Sequence, residues 1–312
     1  MPDNSLRPMR PIQRVPFVEE TLPVLNPEAA RTRRKPAHPH HKPCAGFGLN
    51  TPANQREFAR GFKHLQKTWP NLTPAQRRQQ LEDLVNTQLH KGGVPRVGIV
   101  PRDLPTDDGQ LIFKDWKLAI NKNLLNGNHL PEAQAKELAN TVYHESRHAE
   151  QWYLIAQQKA AQLGGAAGET PAQKVTAIQN AMGIPLDTAA QAQQHPLDAH
   201  DGRKACAQAL NDSIYGAHAA HREQTLHDQD VKILADNHAQ AHFDNVNRAY
   251  EKLRQNPHAD PAAVQKAYQG AVTAGKHLEA ANVARQRAYQ AYQRLPEEAD
   301  ALETGDAVGK IL

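Results

Sequence analysis

A chain of 312 residues can build one or two domains with a real core, but 39% hydrophobic and 5% aromatic residues argue against an ordinary compact globule. They point instead to long, Ala- and Gln-rich helices with thin contacts and to some unfolded chain. A formal charge of +4 is too mild and too spread to argue for nucleic-acid binding, and the two cysteines, Cys44 and Cys206, are too few to imply a cystine scaffold.

Residues 1–50 carry Pro, Arg and His without helical or strand period, as in RTRRKPAHPHHKPC, and read as a disordered basic arm. Within it His38, His40, His41 and Cys44 are close in sequence, but proline breaks the geometry a tight metal site needs, so a solvated linker is expected. The opening MPDNSLRPMRPIQRVP has no apolar stretch of the signal-peptide kind. The chain is therefore expected to be made in the cytoplasm, any export falling to a dedicated secretion system. No apolar run approaches membrane-spanning length.

Order is expected from about residue 52. TPANQREFARGFKHLQKTW has helical spacing, and a second helix follows with Thr73 as N-cap, Pro74 at its first position and Gly92–Gly93 as its stop. VPRVGIV, QLIF and WKLAIN read as three short strands, with Asp107, Asp108 and Gly109 forming a turn between the first two. From Pro131 to about residue 163 the pattern is helical, with Leu138, Val142, Ala149, Trp152 and Ala156 on one apolar stripe. A Gly/Ala loop over 164–170 and short helices near 171–181 and 186–194 come next. Residues 198–295 are helix-forming, broken at Asn256–Pro257 and Asp260–Pro261, which predicts a hairpin or bundle. LPEEADALETG opens on Pro296 at a helix start and runs to Gly305. The fold class is α+β and helix-dominated.

The chemistry lies in His144-Glu145-Ser146-Arg147-His148, an HExxH motif in mid-helix. Residues four apart on a helix stand on one face, so two imidazoles there can converge on one Zn2+. Glu145, turned by about 100°, addresses a water on that ion instead, and takes its proton as it attacks a carbonyl. A catalytic zinc needs a third protein ligand and an open position. A metzincin would have Gly and His three and six residues after the second His; Gln151 and Leu154 stand there, so the third ligand comes from later in the chain. Glu298 is the favoured candidate, because Ala301 three residues on lets its helix approach closely; Glu297 is the rival. Tyr292 is a candidate donor to the oxyanion of the tetrahedral intermediate. Trp116–Asn121 is the candidate edge strand on which an extended peptide substrate would add. The pairs His238/His242 and His218/His221 read as polar helix faces.

NTVYHESRHAEQWYLIAQ, followed far downstream by YQRLPEEADALETG and preceded by the short sheet, resembles the HExxH zincin-like (gluzincin) domains of bacterial polymorphic toxins and secretion-system effectors. The likeness covers about residues 72–200 and 285–308. It implies a small zincin-like sheet plus an active-site helix over 51–312, with a helical insertion at about 198–290. It also implies zinc held by His144 and His148, with Glu145 as catalytic base. One departure stands out: many gluzincins have Glu four residues before an Asp, and here Pro296 occupies that place before Asp300. The expected function is a zinc metallopeptidase acting on a protein or peptide, delivered to a competitor or host, with a secretion apparatus and an immunity protein as partners. The alternative is a non-enzymatic helical interaction protein whose zinc site is structural or vestigial.

Overall fold

A computed structural model describes Cys44 and residues 46–104, 108–164 and 170–312. The basic arm up to residue 43, Asp107 of the expected turn and most of the Gly/Ala loop lie outside the described residues. The chain divides into two bodies. The first comprises the described residues up to Leu210 together with Asp300–Leu312, and the second is Asn211–Ala299.

In the first body, α1 (Pro52–Thr68) starts on Thr51, whose side chain accepts from the Asn54 amide, and it buries Phe58, Ala59, Phe62 and Leu65. α2 (Pro74–Lys91) begins with a reciprocal capping box between Thr73 and Gln76, has Pro74 in its first turn and ends at Gly92. Arg77 of α2 is buried and donates to the carbonyls of Trp69, Leu125 and Gly127. Its guanidinium thereby anchors the turn that leads toward the motif helix.

The sheet has three strands, β1 (Gly98–Arg102), β2 (Gly109–Ile112) and β3 (Lys117–Asn121), in the order β1-β3-β2. β1 runs parallel to β3 and β2 antiparallel to it. The expectation of an edge strand at Trp116–Asn121 is thereby corrected. β3 is central, and its backbone is bonded on both sides, so it has no free edge for a peptide. The consecutive buried run Leu118, Ala119 and Ile120 is what a strand covered on both faces requires. The edges are β1 and β2. Trp116, at φ 54°, turns the chain from β2 into β3 and donates its indole N–H to the Pro95 carbonyl.

α3 (Lys122–Asn126) leads to α4 (Glu132–Gly164), the motif helix. The expected stripe of Leu138, Val142, Ala149, Trp152 and Ala156 is buried, but so is every residue from Thr141 to Gln158. That stretch of α4 is thus enclosed on all sides although much of it is polar. α5 (Pro171–Met182), α6 (Leu186–Gln194) and α7 (Lys204–Ile214) follow. A disulfide joins Cys44 to Cys206 of α7, although two cysteines in so long a chain gave no reason to expect pairing. It ties the segment before α1 to the body.

The second body is a helical hairpin of α8 (Ala219–Arg254) and α9 (Pro261–Tyr292), the latter capped by Asp260 with Pro261 in its first turn. Antiparallel registration is set where small residues let the helices meet: Gly270 faces Val246, and Gly275 faces Phe243. Arg285 pairs with Asp236 at 3.1 Å.

α10 (Pro296–Ile311) is one continuous helix. Its residues from Asp300 to Leu312 belong to the first body, and those before Asp300 belong to the second. It runs on through Gly305 rather than stopping there. Among the described residues no helix is long and apolar enough to cross a membrane.

Candidate metal centre

On α4, His144 and His148 stand one turn apart with their rings edge to face, centroids 4.7 Å apart. Their Nε2 atoms are 3.0 Å from each other. Two nitrogens each ~2.0–2.1 Å from one tetrahedral zinc would lie ~3.3 Å apart, so the two rings already point at a common centre.

α10 brings the carboxylate. Asn140 of α4 donates to Asp306 at 2.9 Å, and at Gly305 the two helices nearly touch. A Cβ there would lie 2.9 Å from the Asn140 carbonyl and 3.1 Å from the His144 Cβ. Residues 298, 301, 305 and 308 share one face of an α-helix, and Glu298, Ala301 and Val308 are fully buried. One ligand atom each from His144, His148 and Glu298 lies within 4.8 Å of the others. No other group of three or more His, Cys, Asp or Glu with this geometry occurs among the described residues.

The donor set suits a divalent cation. Two imidazoles and one carboxylate are a zinc-type ligand set. A dication there would balance Glu298 and the neighbouring Glu145, two carboxylates with no exposure to solvent. Glu145 stands beside the three rather than among them. Its Oε2 accepts from the Leu111 amide of β2 at 2.9 Å, and its Oε1 is 3.8 Å from His144 Nε2. The sheet therefore aims this carboxylate through a backbone bond on an edge strand.

Of the remaining sequence candidates, Glu297 is committed elsewhere. It accepts from Ser213 Oγ at 2.7 Å and pairs with Arg222, both in the second body. Burial works against the charge of Arg222, but Glu297, with Glu298 and Tyr292 adding to it, holds the guanidinium above its ordinary pKa. One residue on a helix is about 100° of rotation, which separates the two adjacent acids. Tyr292 ends α9, buried, with its ring stacked on Tyr289 at 6.0 Å. His218, His221, His238 and His242 are exposed on the hairpin. Cys44 is in the disulfide, and His38, His40 and His41 lie outside the described residues.

Sequence reasoning missed the polar network behind the ligands. Arg147, inside the motif, is fully buried and donates to Asp300 through Nε at 2.7 Å and Nη2 at 3.2 Å. It also pairs with Glu150 and donates to the Cys44 carbonyl at 2.9 Å. Burial opposes its charge, but Glu150 and Asp300 together hold it above the usual arginine value. Glu150 in turn accepts from the Leu49 amide at 3.0 Å, and Tyr143 donates its hydroxyl to the Leu49 carbonyl at 2.9 Å. Burial, with the Glu150 charge adding to it, pushes the Tyr143 phenol upward. The strap from Cys44 to Asn50 is thus bonded into the motif helix. Gly48 is required there, because it adopts φ 56° and a side chain would collide with Glu150. The available signal was the density of polar residues in the middle of a long helix, which is unusual unless they are partnered.

No protein-family model, no curated protein and no solved structure matches this chain, so its functional reading rests on this site.

Proposed function

We propose that the protein is a zinc-dependent metallopeptidase of the gluzincin kind, with His144, His148 and Glu298 as the metal ligands and Glu145 as the base. The observation that carries this reading is the convergence of three donor atoms within 4.8 Å of one another, with a fourth side chain, Glu145, held beside them and not among them. Zinc bound there would supply an acidified water and a Lewis acid for a peptide carbonyl. His144 and His148 bind through Nε2, and Glu298 contributes the anionic ligand. Glu145, oriented through Oε2 by the Leu111 amide, has Oε1 on the side of His144 to accept a proton and return it to the leaving amine. The substrate would be a protein or peptide. The resemblance to toxin and effector domains adds a secretion apparatus and an immunity protein to the proposed partners.

A second reading has an observation of its own. His144, Glu145, His148 and Glu298 are all no more than 1% exposed. So enclosed a site suits a structural zinc in a helical interaction protein. One experiment separates the two. Purified protein, His144→Ala, His148→Ala and Glu145→Gln are compared for zinc content and for cleavage of a peptide library. The peptidase reading expects one zinc per chain, lost in both histidine variants, and a Glu145→Gln protein that keeps zinc but loses ~10²–10⁴ in rate. Zinc retention without cleavage in the parent protein would favour the structural site. Full zinc retention in both histidine variants would defeat both readings.

A further inference from the structure

Behind His148 lies a short chain of side chains whose hydrogen-bond roles are forced. His148 Nδ1 is 2.8 Å from Gln151 Oε1. Gln151 Nε2 donates to Asp300 Oδ2 at 2.8 Å. Asp300 also receives Arg147 Nε at 2.7 Å and, from Asn50, Nδ2 at 2.9 Å. A carboxylate held by a guanidinium and two amides only accepts. The amide of Gln151 must therefore present its NH2 to Asp300, which leaves its oxygen facing the histidine. A ring nitrogen facing an oxygen must be the one that carries the hydrogen. The proton of a neutral His148 is thus placed on Nδ1, and the lone pair on Nε2, the atom 3.0 Å from His144 Nε2.

We propose that Gln151 and Asp300 are positioning residues that fix His148 in its Nδ1–H tautomer, with Nε2 ready to bind metal. Metal-bound histidines are generally oriented by a partner on their second nitrogen, and loss of that partner weakens binding. Here the partner is a neutral amide, which has no preferred role of its own. An amide can turn over and offer N–H instead of C=O, and Asp300 removes that freedom. The geometry explains why a glutamine is buried one turn beyond His148: residues three apart share a helix face, so Gln151 reaches the ring it supports. Asp300 lies two residues after Glu298 on α10, so the helix that supplies the carboxylate ligand also supplies the group that orients a histidine on α4. The inference rests on the reading of His144, His148 and Glu298 as a metal site, but its first consequence can be measured without metal.

The test uses Gln151→Leu, which puts a buried apolar side chain of broadly similar size in its place and removes both polar groups. Asp300 remains bonded to Arg147 and Asn50. Nitrogen-detected NMR of the metal-free full chain, at a pH where the ring is neutral, reads which nitrogen of His148 is protonated. Chelator competition reads the zinc dissociation constant, and a thermal melt checks the fold. In the parent protein the Nδ1–H form is expected alone. In Gln151→Leu a mixture of tautomers and ~10- to 100-fold weaker zinc binding are expected. A parent His148 protonated on Nε2 overturns the relay whatever the variant does, including a variant that fails to fold. A folded variant with unchanged tautomer and unchanged zinc affinity overturns it as well. A parent protein that holds no zinc, yet shows the Nδ1–H form and loses it in Gln151→Leu, upholds the relay and defeats the metal reading instead.

Discussion

The motif helix α4 and the hairpin helices α8 and α9 are similar in length, at 33, 36 and 32 residues, and opposite in surroundings. α4 is enclosed along the whole stretch from Thr141 to Gln158. α8 buries only Arg222, Thr225, Gln229 and Asp236, and α9 only Ala271, Ala274, Leu278 and Tyr292. On the hairpin, Val231, Leu234, Tyr268, Val272 and Val283 remain exposed. Helix propensity does not distinguish these segments, since all three form long helices. The distinction lies in how polar groups are treated. In α4, Arg147, Glu150 and Gln151 are buried and bonded to partners as far away as Cys44 and Asp300. On α8 and α9 most polar groups face water, and bonds such as Gln240 to Asp244 stay within one helix. A buried polar network is costly to interrupt, whereas an exposed polar face tolerates change.

That contrast is sharpest at Arg147. Replacing it with Met would leave the buried Glu150 carboxylate and the half-buried Asp300 carboxylate side by side without their cation. A loss of ~3–5 kcal/mol is expected, read as a large drop in denaturation midpoint. A midpoint within experimental error of the parent would mean the network contributes nothing to the enclosure of α4. Cys44→Ser comes next. It releases the strap whose carbonyls and amide serve Arg147 and Glu150, and opens a covalent loop of sequence separation 162. A loss of ~2–5 kcal/mol is expected, and reductant should reproduce it in the parent chain. Equal melting of reduced and oxidised protein would show that the bridge constrains neither state.

Gly305→Ala should have an intermediate effect. Its methyl group would press on the Asn140 carbonyl and the His144 Cβ, so α10 must shift. About 1–3 kcal/mol is expected from such overpacking, with weaker zinc binding because Glu298 rides on the same helix. Unaltered affinity alongside unaltered stability would show that the two helices are not held in close register. The smallest effect belongs to the hairpin. Leu234 is 58% exposed, so Leu234→Gln should change stability by no more than ~0.5 kcal/mol in a thermal melt. A large loss would mean that this face is covered in solution and that α8 is closer to α4 in its surroundings.

Local chemistry was legible without coordinates. The Thr73–Pro74 start and Gly92 end of α2, the three strands and the proline breaks before α9 are all decided by residues within a few positions of one another. So is the i,i+4 pairing of His144 and His148, because one helical turn brings them together. The nearness of Glu298 to the two histidines was suggested for a different reason, Pro296 marking a helix start and Ala301 a close approach, while Glu297 stayed open as the rival. Strand order was not legible. Three short apolar strands allow several orders, and β3 became central only when β1 and β2 both paired with it. The pairing of Cys44 with Cys206 was equally hidden, since spacing in sequence does not reveal which chain segments meet.

The sequence by itself determined which segments are helix and strand, and that His144 and His148 share one helix face, because those properties depend on neighbours along the chain. Tertiary structure alone decided that Gly305 is a contact point, that Arg147 is a buried cation, and that Gln151 bridges a histidine to Asp300. Each of these roles depends on a partner more than 100 residues away in sequence, Asn140 for Gly305 and Asp300 for the other two. Chain folding brings such partners together, and no local pattern encodes their meeting.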